Sequence, residues 1–224
     1  MSRDINAVIF DNDGVIVDSE QYWHEMAADL FQEATEDTID TGTALDDALG
    51  MNYRDIYDLL ADRYDVTMEK EEFLDRYRDA ADEVYRERVT LMDGFKQLVA
   101  EIKERDRKVA IASSSPRQWL EMVVDRFDLD MIDLVMSADE LKQDGEIDAG
   151  KPDPGIYRVT ARRLGVDPST CLVVEDAPNG VTAATRAGME CIAYQHDHPD
   201  AAASAASPVQ LRRLILDRLQ QEGF

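Results

Sequence analysis

Short apolar runs alternate along this chain with segments of helical period, and that alternation restricts the fold more than any other feature. The runs Asn6–Phe10, Val109–Ala112, Leu134–Met136, Cys171–Val174 and Cys191–Tyr194 are apolar on successive residues. That is the pattern of strands buried on both faces, not of strands with one wet face. Helical period fills the spaces between them, up to about Glu104, from Pro116 to Phe127, from Pro154 to Leu164 and from Pro178 to Ala187. Strands alternating with helices of this length predict an α/β fold, a Rossmann-like doubly wound parallel sheet with helices on both faces. One long stretch breaks the rhythm. From Ser19 to about Thr90 the apolar residues recur at three-to-four spacing, as in Trp23, Met26, Ala27, Leu30 and Phe31 and again in Ile56, Leu59 and Leu60, with no strand pattern among them. An all-helical block placed after the first strand reads as an insertion. The expected organisation is therefore a core of residues 1–17 and 91–224 carrying a helical cap over 18–90, which suits a chain of 224 residues.

Local signals sharpen the outline. Pro116, Pro154 and Pro178 sit at predicted helix starts, where a missing N–H is harmless, and Ser115 and Asp153 are expected N-caps for the first two. Ala201–Ser207 reads as an Ala/Ser linker, after which Pro208 opens an amphipathic helix bearing Leu211, Leu214, Ile215 and Leu219 that should dock on the sheet edge. Cys171 and Cys191 lie in apolar runs without CxxC or Cys/His spacing, so buried thiols are expected, not a disulfide or a metal site.

Charge narrows the partners. A formal net charge of −24 makes nucleic acid a poor ligand, and no apolar run is long enough to span a bilayer. The N-terminal residues pass straight into an apolar strand without a charged lead or a small-residue cleavage site, so a cytoplasmic protein is expected; a monomer or weak homo-oligomer is the expected state, on which no sequence pattern bears. Like charge on this scale opposes compaction at ordinary ionic strength. At about 1 M salt the screening length falls to roughly 3 Å and most of the repulsion vanishes, so a salt-loving cytoplasm is one reading and an ordinary acidic enzyme the other.

Four polar clusters follow the predicted strands, at the rim where open α/β sheets bind ligands. The first is Asp11-Asn12-Asp13-Gly14. Asp11 at the mouth of a buried strand can attack phosphorus, and Asp13, two positions on, can stand over the leaving oxygen and move its proton. A turn with two capping aspartates is the alternative. The second is Ser113, ahead of a helix N-terminus, where a hydroxyl and backbone N–H groups suit phosphate oxygens or simply cap the helix. The third is Lys151, between Gly150 and Pro152 in a loop stiffened by prolines: either a fixed cation beside a reacting phosphoryl group or a solvated lysine. The fourth is Glu175-Asp176. Paired acids at the end of a buried strand repel unless a cation joins them, and Mg²⁺ held with Asp11 would do so, while helix capping by Asp176 is the plainer alternative.

In this order, DNDGVIVDSE, IASSSP, GKPDPGIY and VVEDAPNG resemble the haloacid dehalogenase superfamily, in particular its branch of β-phosphoglucomutases and sugar-phosphate phosphatases, from the first strand to about Tyr194. The resemblance implies Asp11 as the nucleophile that becomes aspartyl-phosphate, Asp13 as general acid and base, and Ser113 and Lys151 as phosphate ligands. It further implies Mg²⁺ bound by Asp11, the Asp13 carbonyl, Glu175 and Asp176, and a small phosphorylated metabolite as substrate. Two cap positions depart from the mutase pattern. Trp23 stands where mutase-like members tend to carry histidine, with His24 next to it, and Tyr53, with Arg54 beside it, stands where they use arginine after the glycine at Gly50. Trp23, Tyr53 and Arg54 are thus the expected specificity residues, although a tryptophan of the cap interior is an equal reading of Trp23. The function expected is a Mg²⁺-dependent phosphatase, with a phosphosugar mutase and a non-catalytic metabolite-binding module as alternatives. A phosphonate-cleaving enzyme would need a cap lysine, for which Lys70 alone is available. His196 and His198 around Asp197 read as a solvated loop before they read as a metal site.

Overall fold

A computed structural model describes residues 4–35, 39–48, 51 and 53–220. In chain order its elements are β1 (Ala7–Phe10), α1 (Glu20–Ala34), α2 (Thr41–Ala48), α3 (Tyr53–Arg63), α4 (Lys70–Glu83), α5 (Phe95–Lys103), β2 (Lys108–Ser113), α6 (Arg117–Arg126), β3 (Leu134–Ser137), α7 (Ala138–Gln143), α8 (Gly155–Leu164), β4 (Cys171–Glu175), α9 (Pro178–Arg186), β5 (Glu190–Tyr194), β6 (Ala203–Ala205) and α10 (Pro208–Leu219). A π-helical turn, Val84–Arg88, follows α4. The chain divides into two compact units, one of Met1–Val17 with Leu91–Phe224 and one of Asp18–Thr90.

The first unit is the α/β fold its apolar runs predict. Six parallel strands lie in the order β3-β2-β1-β4-β5-β6. Side chains alternate across the sheet, so both faces of each central strand must be covered. Ala7, Ile9, Ala110, Ala112, Val173 and Cys191 pack in one cluster with Ile156, Val159, Val181 and Ala184 of α8 and α9. On the opposite face the Phe10 ring meets Phe95 of α5 edge-on, centroids 5.2 Å apart and planes at 84°. Both rings are fully buried, and side chains of this size contribute about 1.5–3 kcal/mol each on burial.

One boundary reading is corrected. Within the presumed Ala/Ser linker, Ala203–Ala205 forms an edge strand paired in parallel with Ile192–Tyr194. Ala-Ser-Ala has little strand propensity, and the pairing with β5 supplies what the side chains do not. Ser207 then caps α10 by accepting from Gln210 N, and α10 packs against β6 and α5, with Leu211, Ile215 and Leu219 buried.

The second unit is helical throughout its described residues. Phe31 of α1 stacks on Phe73 of α4 at 6.3 Å, both fully buried, and Leu30, Leu60 and Tyr85 of the same unit are buried as well. Its two ends meet where the Asp18 carboxylate accepts from Thr90 N at 2.6 Å and Thr90 Oγ1 at 2.8 Å. That contact closes the unit on its own chain ends.

Candidate active site

Register brings the motifs together. Phe10 is paired with Ile111 of β2 on one side and Val174 of β4 on the other, so the next residue, Asp11, stands level with Ala112 and Glu175. Its backbone N–H donates to Val174 O at 3.0 Å, which holds β1 one residue beyond its last ladder position. Lys151, from the loop before α8, reaches over these strand ends. Its Nζ donates to Ala112 O at 3.2 Å and to Glu175 Oε1, and lies 3.1 Å from Asp11 Oδ1, in a side chain only 7% exposed. Ammonium and carboxylates thus meet where water is scarce and their attraction is weakly screened.

Burial and charge compete on each group. Desolvation pushes the Asp11 carboxyl up to about 7, against the lowering effect of Lys151 and with further upward pushes from Glu175 and Asp13. For Lys151 burial works to lower the pKa, but the charges of Asp11 and Glu175 outweigh it and the net shift is upward. Lys151 is a permanent cation. Glu175 is fully buried, and besides Lys151 it accepts from the Tyr157 hydroxyl at 2.6 Å and from Ala177 N at 3.3 Å.

The donor set fits a divalent cation. Asp11, Glu175 and Asp176 each offer an oxygen within 4.8 Å of the others, the hard-ligand triangle that Mg²⁺ prefers. Asp11 Oδ1 is buried, and its one close polar neighbour among the described residues is the Lys151 ammonium at 3.1 Å, an ion-pair contact. Two glycines leave room for the acids. A Cβ on Gly14 would fall 1.8 Å from Asp176 Oδ2, and one on Gly180 would fall 1.9 Å from Glu175 Oε1. Gly14 also has φ +70°, a conformation open to glycine and strained for other residues. His196 and His198 build nothing comparable: His196 Nδ1 lies 3.1 Å from Tyr194 O and His198 Nδ1 accepts from Asp200 N.

The second motif differs in detail from its sequence reading. Ser113 is buried at the end of β2, and its Oγ accepts from Ser115 N at 3.1 Å and reaches Asp13 Oδ2 at 3.4 Å. The N-cap position of α6 is Pro116, one residue after Ser115. The Ser115 Oγ donates to Asp13 Oδ2 at 2.7 Å, a contact across 102 positions that local sequence rules cannot anticipate. Tyr157 carries no sequence signal for a similar reason, because an aromatic residue on a core helix reads as packing until its hydroxyl is placed.

A sequence profile described as haloacid dehalogenase-like hydrolase matches residues 8–194. Hexitol phosphatase B of Escherichia coli K12 is 35% identical over 192 residues, 85% of this chain and 83% of that protein. This chain belongs to the haloacid dehalogenase-like hydrolase family. Another relative, the phosphorylated carbohydrates phosphatase of Thermotoga maritima, is 30% identical over 84% of each chain. Among solved structures, a β-phosphoglucomutase from Clostridium difficile superposes with a TM-score of 0.76 at 26% identity, covering 97% of this chain and 98% of that one.

The cap positions form an aromatic column inside the helical unit of this family member. Trp23 stacks on Tyr77 with centroids 5.3 Å apart, Tyr77 on Tyr53 at 5.4 Å, and the Arg54 guanidinium lies 4.9 Å from the Tyr53 centroid. Tyr85 meets Trp23 edge-on at 5.8 Å. Trp23 is half-buried, Tyr53 buried and Arg54 exposed, while Gly50 lies outside the described residues. Lys70 is paired with Asp58 and sits over the Tyr57 ring, an ordinary surface arrangement.

Proposed function

We propose that this chain is a Mg²⁺-dependent phosphatase that hydrolyses a small phosphorylated metabolite of sugar-phosphate type through an aspartyl-phosphate on Asp11. The observation that carries the reading is the meeting of Asp11, Glu175 and Asp176 beside the buried ammonium of Lys151. Asp11, Glu175, Asp176 and the Asp13 carbonyl would hold Mg²⁺, which when bound supplies positive charge against the phosphoryl oxygens. Lys151 and the Ser113 hydroxyl bind those oxygens and keep the phosphorus in line with the Asp11 carboxylate. Asp11 attacks phosphorus, the bond from phosphorus to the leaving oxygen breaks, and Asp13 gives that oxygen its proton. Asp13, now a carboxylate, then takes a proton from the water that attacks phosphorus, the bond from phosphorus to Asp11 breaks, and inorganic phosphate departs.

The named phosphatase relatives support a sugar or sugar-alcohol phosphate as substrate. We assign discrimination among such substrates to Trp23, Tyr53 and Arg54, the two ends of the aromatic column and the cation beside one of them. A phosphosugar mutase is the second reading, favoured by the likeness to β-phosphoglucomutase. A Mg²⁺-dependent screen of sugar and sugar-alcohol phosphates, following free phosphate and isomerised product together, separates them. Phosphate release above an Asp11→Asn control supports the phosphatase, isomerisation without release replaces it with the mutase, and neither product leaves a binding module. The screen belongs in molar KCl as well as low salt, because we also read the −24 net charge as adaptation to a salty cytoplasm. A melting midpoint that does not climb toward molar KCl would remove that last reading.

A further inference from the structure

We propose that Ser115 is a positioning residue that fixes which oxygen of Asp13 carries the transferable proton. The inference rests on the phosphatase reading above, in which Asp13 protonates the leaving oxygen. Two hydrogen bonds to the Ser115 backbone, and the proline after it, hold this serine in place. Its backbone N–H donates to Ser113 Oγ at 3.1 Å, its carbonyl accepts from the fully buried Ser137 Oγ at 2.8 Å, and Pro116 follows it. Ser137 is itself anchored at the end of β3, where its Oγ also accepts from Glu140 N and caps α7. Arg117 ties the same corner together by donating to Glu140 Oε2 and to Val135 O. The hydroxyl is thus carried on the ends of two sheet strands and aimed at one atom, Asp13 Oδ2, at 2.7 Å.

A donor fixed on Oδ2 makes that oxygen the acceptor of the carboxyl group. When Asp13 is protonated its hydrogen then resides on Oδ1, and the carboxyl plane is set by Ser115 with help from Ser113 at 3.4 Å. In the first half-reaction the proton leaves Oδ1 for the departing oxygen as its bond to phosphorus breaks, and Asp13 becomes a carboxylate. In the second, Oδ1 recovers a proton from the attacking water. Ser115 keeps its own proton throughout and touches neither phosphorus nor the leaving group. Its effect is orientational, and a misplacement of about 1 Å in such a group lowers a rate on the order of a hundredfold.

The test compares two substrates in the Mg²⁺-loaded enzyme. A sugar-alcohol phosphate leaves as an alkoxide and needs the proton, whereas 2,4-dinitrophenyl phosphate leaves as a stable phenolate and does not. Ser115→Ala should lower kcat for the alkyl ester by roughly tenfold to a hundredfold more than for the dinitrophenyl ester, with KM for both little changed. Asp13→Asn should show the same selectivity more strongly, and Ser115→Thr, which keeps the hydroxyl, should restore the alkyl rate. An equal loss on both esters in Ser115→Ala, or no loss on either, overturns the positioning role while leaving the phosphatase intact. Equal losses count against the role only in folded protein, which circular dichroism and a urea midpoint establish; should Ser115→Ala not fold, Ser115→Gly carries the same comparison, a larger loss on the alkyl ester supporting the role and an equal loss refuting it. Wild-type enzyme that hydrolyses neither ester refutes the phosphatase reading itself and this inference with it.

Discussion

Gly180→Ala separates helix propensity from site packing, because the two predict opposite signs. Gly180 is the third residue of α9, and replacing a helical glycine by alanine ordinarily stabilises by about 1 kcal/mol. Here the new Cβ would lie 1.9 Å from Glu175 Oε1 and 2.0 Å from its Cδ. A glutamate head group can usually swing aside at small expense, but this one is fully buried and held by Lys151, the Tyr157 hydroxyl and Ala177 N. Moving it breaks at least one hydrogen bond to a charged group, worth about 1.5–3 kcal/mol, and overpacking adds about 1–3 kcal/mol. Set against the propensity gain, a net loss on the order of 2–4 kcal/mol is expected. Urea unfolding of metal-free protein measures it, and Mg²⁺ titration of the same variant should show affinity weakened by tenfold or more, since a displaced Glu175 no longer completes the acid triangle. An unfolding midpoint equal to or above wild type, with Mg²⁺ affinity unchanged, would refute the packing described here.

Other consequences can be checked on the same material. Gly14→Ala forces a left-handed φ on alanine and should destabilise by about 1–2 kcal/mol in urea unfolding while weakening Mg²⁺ binding through Asp176. Burial pushes the Cys171 thiol up to about 12 and the Cys191 thiol higher still, so a disulfide reagent at pH 8 should label native protein slowly and unfolded protein at once; fast labelling of both thiols in the native state would contradict their placement. The hydrogen bonds from Arg212 hold Glu101 below its ordinary 4.5, so the stability of the α10–α5 contact is present above that value and lost as the pH falls beneath it. Glu101→Gln should flatten that acid limb of the unfolding midpoint, and an unaltered pH profile would show that the pair contributes nothing.

Much of the fold was legible because of where its strands lie. β1, β2 and β4 are covered on both faces, so their central positions, Ala7–Phe10, Val109–Ala112 and Cys171–Val174, are apolar in succession and the runs stand out in sequence. β6 was not legible, since Ala203–Ala205 is short, at the edge and without strand-forming side chains. Asp11, Lys151 and Glu175 could be singled out because chemistry-bearing residues just past buried strands share one rim whatever their separation in sequence. Ser115 and Tyr157 could not. A serine ahead of a proline fits a cap and a tyrosine on α8 fits the core, and only the three-dimensional pairing with Asp13 and Glu175 gives either another task. The column of Trp23, Tyr77 and Tyr53 likewise depends on how three helices cross, which periodicity does not encode.

The central claim is that Asp11 accepts the phosphoryl group at a magnesium site. Acid-quenching the enzyme during turnover of a sugar-alcohol phosphate and sequencing its peptides by mass spectrometry tests this directly. Phosphate should appear on Asp11, only with Mg²⁺ present, and vanish in Asp11→Asn along with turnover. Phosphate trapped on a different residue, or full turnover by Asp11→Asn, would contradict the account.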